Sequence, residues 1–544
     1  MDAYGYEDFN NARDRFGSAG FANTAMIERA DGFTQTPGAL FTGFFKGRPL
    51  WYDGAGGCIL VAGARGGKLR DWLAYNVCPG ICRHTQVILD PKCEIAPISQ
   101  NQIEDCKHTL HWNPARLNGM PSHTLNPLEH LTPDNPLIES DIQRFVDNTI
   151  VQSGAANSSY FELRAREYLF AVCRIAVDVY GPLNLPLVKR IVGWLISENE
   201  EWYAFARHMR SSGNEDAKTI EAEIFSAREN PTNGFQGILG ELSKAFACLS
   251  DPVLLRSVSP PFTAKLSDVT KGQQAYNIYL CPPIEFLSQW SMVIKAILLT
   301  LRTYKSRAPS APRQTWLLDE CALLGKFPLL TEAFTVGAGI GIRPVAIFQS
   351  AKQMRAVGQD AEHIIPSSAA LQVHFAVRDI TSAQNLSQQL GVQTLEYDDS
   401  QRQAQARQAG KRALQAILRG GDFLGSALEY RHQRRVSRMR SKQQRHLRAP
   451  DEILHTPPGK MYVQMDGVPR PIYADRVPYY AQPMMAGRYL PNPYHPPSDL
   501  VQIATPNGPE WRRVITEPVP SKLAHYPQYA AGIWSYVEGY RPQI

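Results

Sequence analysis

The chain has 544 residues, 44% of them hydrophobic and 20% charged, with a formal net charge of +6. That length carries more than one domain and a substantial core, and the composition excludes a disordered or fibrous chain. Nine cysteines lie scattered without a CxxC pair, which argues against a disulfide framework or a zinc ribbon and for free thiols in a reducing compartment.

The N-terminus, M-D-A-Y-G-Y-E-D-F-N-N, is polar and acidic and has no signal-peptide character. Residues 1–45 read as an arm, and 43–52 as a short hairpin leading into the first core strand. No apolar run reaches the roughly 20 residues of a membrane span. The longest candidate, Trp290 to Leu301, is interrupted by Lys295. The expectation is a protein without a transmembrane segment, located in the cytoplasm.

Residues 58–94 organise the rest. Ile59 to Ala62 has the length of a buried parallel strand, Lys68 follows a glycine-rich turn, and Leu69, Trp72 and Leu73 have helical spacing. A second apolar run, Val87 to Leu89, ends on Asp90. Strand, glycine turn, lysine, helix and strand make the start of a P-loop unit. Backbone N–H groups of Gly63, Ala64, Arg65, Gly66, Gly67, Lys68 and Leu69 would cradle phosphate oxygens, aided by the positive end of the helix. Lys68 would reach the outer phosphates. Leu69 stands where a magnesium-binding hydroxyl is usual. The competing reading is a glycine turn with an incidental lysine.

His108 to Trp112 alternates like a strand, and no third ligand accompanies His108 and His111 at metal spacing. From 126 to 258 apolar residues recur at helical spacing: Ile142, Phe145 and Val146, then Leu163, Tyr168, Leu169, Val172 and Ile175. This reads as an all-α domain inserted between two halves of a sheet domain.

The sheet resumes at Ala275 to Cys281, followed by a long helix over about 286–305. Gln314 to Leu318 is an apolar strand ending in Asp319-Glu320, the companion a phosphate loop requires. Asp319 would hold Mg²⁺, directly or through water, and Glu320 would polarise the attacking water. Arg343 to Phe348 is a further strand ending on Gln349, which either senses the γ-phosphate or caps the next helix.

Between 401 and 448 thirteen lysines and arginines face two acidic residues, a net +11. Such a run is a solvated or disordered insertion, or equally a track for DNA phosphates. Its few aromatics give no sign of base stacking. The stretch 481–544 is rich in Pro and Tyr, and either wraps its own domain or docks on a partner.

Several separated blocks, in one order, resemble the type IV secretion coupling proteins, the conjugative DNA-transfer ATPases of TraG/TraD type. They are A-G-A-R-G-G-K at 62–68, L-D-P-K-C-E at 89–94, L-N-P-L at 125–128, Asp319-Glu320, the glycine-rich 337–342, I-F-Q-S-A-K-Q-M, and P-D-E-I-L at 450–454. The resemblance spans about 45–480. It implies an α/β fold, a RecA-like P-loop NTPase domain with an inserted all-α domain, using ATP and Mg²⁺. It implies a homohexamer that recruits a relaxase–DNA complex or effector proteins to secretion-channel subunits at the inner membrane. Ala338 departs from relatives that carry a trans-acting arginine there; the nearest arginine downstream, Arg343, looks like a strand residue. Without a visible N-terminal anchor, the protein would be peripheral to the inner membrane.

The expected partition is an arm (1–45), a first part of the nucleotide-binding domain (46–125), an all-α domain (126–258), a second part (259–400), a basic insertion (401–448), the end of the nucleotide-binding domain (449–480) and a tail (481–544). The leading function is an ATP-driven coupling protein, with Glu320 and Gln349 in catalysis and Asp319 on the metal. The alternative, raised by Leu69 and Ala338, is a nucleotide-binding receptor or scaffold with weak or no hydrolysis. A chromosome-segregation translocase lacks support, because no winged-helix-like module is visible near the C-terminus.

Overall fold

The computed structural model describes residues 16–152, 156–229, 233–375, 377–397, 400–419, 423–436 and 441–543. They divide into two compact units. The smaller comprises Met1–Thr24, Ala376–Pro457 and Pro469–Ile472, and the larger the rest.

In chain order the strands begin with the hairpin β1 (Leu40–Phe45) and β2 (Arg48–Tyr52), then β3 (Gly57–Val61), β4 (Thr85–Leu89) and β5 (His108–Trp112). After a helical stretch come β6 (Tyr276–Leu280), β7 (Gln314–Leu318), β8 (Ile342–Phe348) and β9 (Ala369–His374). The smaller unit supplies β10 (Val392–Tyr397) and β11 (Ser441–His446); then follow β12 (Lys460–Met465) and β13 (Ile472–Asp475). The C-terminal stretch adds β14 (Leu500–Thr505), β15 (Gly508–Pro518) and β16 (Ile533–Val537).

Eleven strands form one sheet in the order β2-β1-β13-β12-β9-β3-β8-β7-β4-β6-β5. The run from β9 to β5 is parallel throughout. β12 joins β9 antiparallel, and β1 pairs antiparallel with both β2 and β13. The central strands are short and apolar, and β3, β4, β6, β7 and β8 are buried at every position. A parallel sheet covered on both faces selects such continuous apolar runs. Because these strands are parallel, the loops after β3, β4, β7 and β8 all emerge at one edge, where ligands bind in open α/β sheets.

Between β5 and β6 the chain is helical. Helices span Ile138–Thr149, Ala156–Tyr180, Leu185–Ser197, Glu200–Ser211, Glu215–Glu229, Asn233–Phe246 and Pro252–Ser257. Asn184, Asn199 and Asp251 cap three of them, each side chain accepting from backbone N–H groups of the first turn. The described residues of this segment supply no strand to the sheet. Its core is nevertheless continuous with that of the sheet. Ile59, Val87 and Leu89 belong to one core cluster with Val293 and Ile297 of helix Ser291–Arg307 and with Phe145, Leu169 and Phe205. No single helix among the described residues is long and apolar enough to cross a membrane.

Of the two alternatives for the C-terminal stretch, the chain takes the first. β14, β15 and β16 form an antiparallel meander. Val501, Ile503 and Val537 share one core cluster with Tyr489, Phe41, Trp51, Tyr75 and Ile98.

Of the readings of the basic run, the disordered one does not hold over its described residues, which are folded in the smaller unit. Helices Ser400–Leu418 and Phe423–Val436 pack side by side, and β10 pairs antiparallel with β11. Ala406, Gly410 and Ala413 are buried at spacings of four and three, one stripe of a helix. A methyl group at Gly410 would meet Gln433 and Tyr430. Small residues thus allow close helix approach while Arg407, Lys411, Arg412, Arg431 and Arg434 lie on exposed faces. Arg438 and Arg440 lie outside the described residues.

Candidate functional site

The loop after β3 turns tightly. Gly67 adopts φ +84° and Arg65 +57°, and Arg65 is exposed at the loop tip with Ala64. A Cβ on Gly66 would stand 2.7 Å from the Gly63 carbonyl oxygen. Glycine is therefore required at 66 by space and favoured at 67 by backbone conformation. The helix that follows opens with a π-helical turn, Leu69–Leu73. Leu69, standing where a hydroxyl is usual, packs against the cluster containing Phe41 and Tyr75.

Lys68 crosses the sheet edge to the loop after β7. Its Nζ lies 2.7 Å from Asp319 Oδ1 and also donates to Glu320 Oε1. Glu320 sits in the left-handed region at φ +52°, a strained conformation for a non-glycine residue that recurs at functional sites. Its backbone N–H donates to Asp319 Oδ1 at 3.0 Å. Gln349, at the end of the intervening strand β8, donates from Nε2 to both Glu320 oxygens, at 2.9 and 3.1 Å. Gln349 also donates its backbone N–H to Gln353 Oε1. Its side chain therefore holds the Glu320 carboxylate.

The electrostatics follow from one ammonium serving two carboxylates. Burial alone would pull the Lys68 pKa down, but the charges and hydrogen bonds of Asp319 and Glu320 outweigh it and hold it above the ordinary value. Asp319 is pushed up by burial, against the opposing pull of Lys68. The cluster has an excess of one negative charge in a largely dry place, a setting that favours a further cation.

Asp90, after β4, borders this cluster: the Asp319 backbone N–H reaches the Leu89 carbonyl. The Asp90 carboxylate accepts from the N–H groups of Glu94, Ile95 and Ala96. Burial raises its pKa to about 7, although those N–H groups oppose the shift. Cys93 and Cys281 lie beside it, with all three ligand atoms within 4.8 Å of one another.

Two residues that the sequence reading passed over complete the loop's surroundings. Arg476, following β13, donates from Nη1 to the Gly66 carbonyl at 2.6 Å and pairs with Asp71 at 3.4 Å. Its guanidinium lies 4.2 Å from the Phe375 ring centroid. Asp71, on the π-helical turn, is 1% exposed and also accepts from Arg70 at 2.6 Å. Burial pulls the Arg476 pKa down, and the Asp71 charge opposes it.

Ala338 lies exposed on helix Pro328–Ile340. Arg343 is wholly buried in β8, donating to the carbonyls of Gly38 and Gly54 and to Thr315 Oγ1. It is a strand residue that cross-links neighbouring segments.

The donor set suits a magnesium nucleotide. The glycine loop leaves a cradle that a side chain would fill, a lysine stands at its mouth, and a carboxylate pair carries excess negative charge for a divalent ion.

Residues 11–417 match the model of the family described as type IV secretory system conjugative DNA transfer. The conjugal transfer protein TraG of Escherichia coli is 22% identical over 457 residues, covering 78% of this chain and 67% of that protein. TraG of Agrobacterium fabrum is 29% identical over 445 residues, covering 79% of this chain and 62% of that protein. The chain thus spans about two thirds of the length of these relatives. Among solved structures, the conjugative coupling protein TrwBdeltaN70 aligns with a TM-score of 0.57 at 16% identity, over 85% of this chain and 95% of that one. TrwB in complex with ADP and Mg²⁺ aligns with a TM-score of 0.57 at 15% identity, over 84% and 93%. At these identities the likeness is one of fold: an α/β, RecA-like P-loop architecture with an inserted all-α segment.

Proposed function

Because the chain belongs to the type IV secretory system conjugative DNA transfer family, we propose that it is a coupling protein that uses ATP and Mg²⁺ to deliver a relaxase–DNA complex or effector proteins to a secretion channel. Its working form is a homohexamer peripheral to the inner membrane, and the basic helices of the smaller unit meet DNA. The observation that carries this reading is the Lys68–Asp319–Glu320–Gln349 cluster, assembled from the ends of three parallel strands.

The residues divide the work as follows. The backbone of Gly63 to Leu69 binds the phosphates and fixes their direction. Lys68 exchanges its carboxylate partners for phosphate oxygens and neutralises charge that develops there. Asp319, released from Lys68, would hold the metal, which when bound would supply charge neutralisation to the phosphates. Leu69 offers no oxygen, so the chain's own share of the metal shell rests on Asp319. Glu320 orients the attacking water, and Gln349 keeps its carboxylate aimed.

The test is ATP turnover by the full chain, with and without single-stranded DNA, over a range of protein concentrations. A coupling ATPase gives turnover that rises with DNA and with assembly. A nucleotide-binding receptor binds ATP with no turnover under any of these conditions.

A further inference from the structure

A second cavity, remote from Lys68, lies against the edge strand β5. It has a volume of about 260 Å³ and is bounded by segments 100–121 and 528–535. β5 is three strands away from β7 in the sheet. Gln528 fastens the C-terminal wall, accepting from Thr109 N–H and donating to the Lys107 carbonyl.

Part of the cavity's polar lining is unsatisfied. His111 is 2% exposed, yet neither Nδ1 nor Nε2 has a hydrogen-bond partner. Asn101 Oδ1 and the Tyr529 hydroxyl, on the same cavity, are also buried without partners. Buried polar atoms without partners are costly and rare, and several on one cavity call for an occupant. The His111 ring stacks on Tyr279 at 5.2 Å and lies parallel to His123 at 6.3 Å, which fixes its plane. Burial, helped by His123, holds its pKa down near 3, so the ring is neutral and offers one donor and one acceptor.

The other walls decide the chemical class. Met120, Ile533 and Trp534 are apolar or aromatic, and no charged side chain lines the cavity. Phosphate, carboxylate and ammonium groups would be buried there without a counter-charge, and are excluded. An apolar cavity of about 150 Å³ holds a benzene ring, so this one has room for a one- or two-ring heterocycle. We propose that the cavity binds a nucleobase, a flat neutral heterocycle carrying both N–H donors and acceptors, with its sugar left at the mouth. The base comes from a free nucleoside or from an unpaired nucleotide of a strand. The proposal is independent of ATP turnover at Lys68.

The experiment is calorimetric titration of the full chain, saturated with ATP, using uridine, cytidine, adenosine, guanosine and short dT and dA oligonucleotides. His111→Phe keeps a ring between Tyr279 and His123 and removes both nitrogens. Ala531→Trp, at an exposed position on the rim, fills the cavity from outside and carries the test if His111→Phe fails to fold. The expected result is saturable binding of at least one probe, weakened tenfold or more by either variant. Tighter binding of an oligonucleotide than of its nucleoside identifies a strand as the source; the reverse identifies a free nucleoside. Absence of any binding that responds to these variants overturns the proposal and leaves a water-filled cavity.

Discussion

Arg476 Nη1 donates to the Gly66 carbonyl at 2.6 Å across 410 residues of sequence. The same guanidinium is balanced by buried Asp71, so the phosphate loop is braced from the C-terminal part of the chain. Arg476→Gln should remove the charge and leave Asp71 with only Arg70. Breaking a buried ion pair costs about 3–5 kcal/mol, so the melting temperature should fall. ATP affinity, measured by titration with a fluorescent analogue, should fall about tenfold as the loop loosens. If the melting temperature drops and affinity is unchanged, Arg476 braces the fold and not the loop.

The catalytic assignment separates binding from turnover. Lys68→Ala removes the cation proposed to face the phosphates and should weaken ATP binding. Glu320→Gln keeps the shape of the side chain and should preserve binding, while turnover falls roughly a hundredfold, the effect of losing about 3 kcal/mol of transition-state stabilisation. Wild-type turnover in Glu320→Gln would remove Glu320 from the mechanism. Gln349→Ala should lower kcat with little change in KM, since Gln349 acts through Glu320.

The helical hairpin offers a second readout. If its cations meet DNA, replacing exposed Arg407, Lys411, Arg412 and Arg431 with Gln should flatten the salt dependence of single-strand binding. Each lost phosphate contact removes about 0.7 from the log–log slope, so the quadruple variant should lose up to about three units, with no change in sequence preference. Fluorescence anisotropy at several salt concentrations measures this. An unchanged slope assigns DNA contact elsewhere.

Stability should fall in acid through buried histidines. Burial holds His374 at about 4, and burial is likewise the main cause for His84 and His130, both also about 4. An unfolded histidine titrates near 6.5. Between those values the unfolded chain binds more protons, so stability is fully present above about pH 6.5 and is lost as pH falls toward 4. Each such group contributes up to about 1.4 kcal/mol per pH unit. Denaturant titrations of His374→Leu from pH 4.5 to 7 should show a shallower fall than wild type. An equal slope would mean that His374 takes up its proton while folded.

The fold class and the family were legible because their signals are local. An apolar run, a glycine turn and Lys68 stand within ten residues, and Asp319-Glu320 closes its own strand. Gln349 was legible by the same strand-end logic, although its contact with Glu320 was not. Arg476 was illegible because its partners lie at the other end of the chain. Asp71 was passed over, since nothing nearby in the sequence announces that the turn is π-helical and buried. The basic run misled for a different reason: its net charge hid the spacing of Ala406, Gly410 and Ala413, which alone signals helix packing. The meander of β14 to β16 was hidden behind a Pro- and Tyr-rich composition that suits an extended segment equally well.

The bracing of the loop by Arg476 also sets an order of events during synthesis. β3 and the glycine turn are translated before β12, β13 and Arg476, which stands 410 residues after Gly66. A nascent chain, or a product cut short before residue 476, has the whole phosphate-loop sequence but lacks the residue that holds its turn. The turn is therefore held in place only once the chain has been made past residue 476.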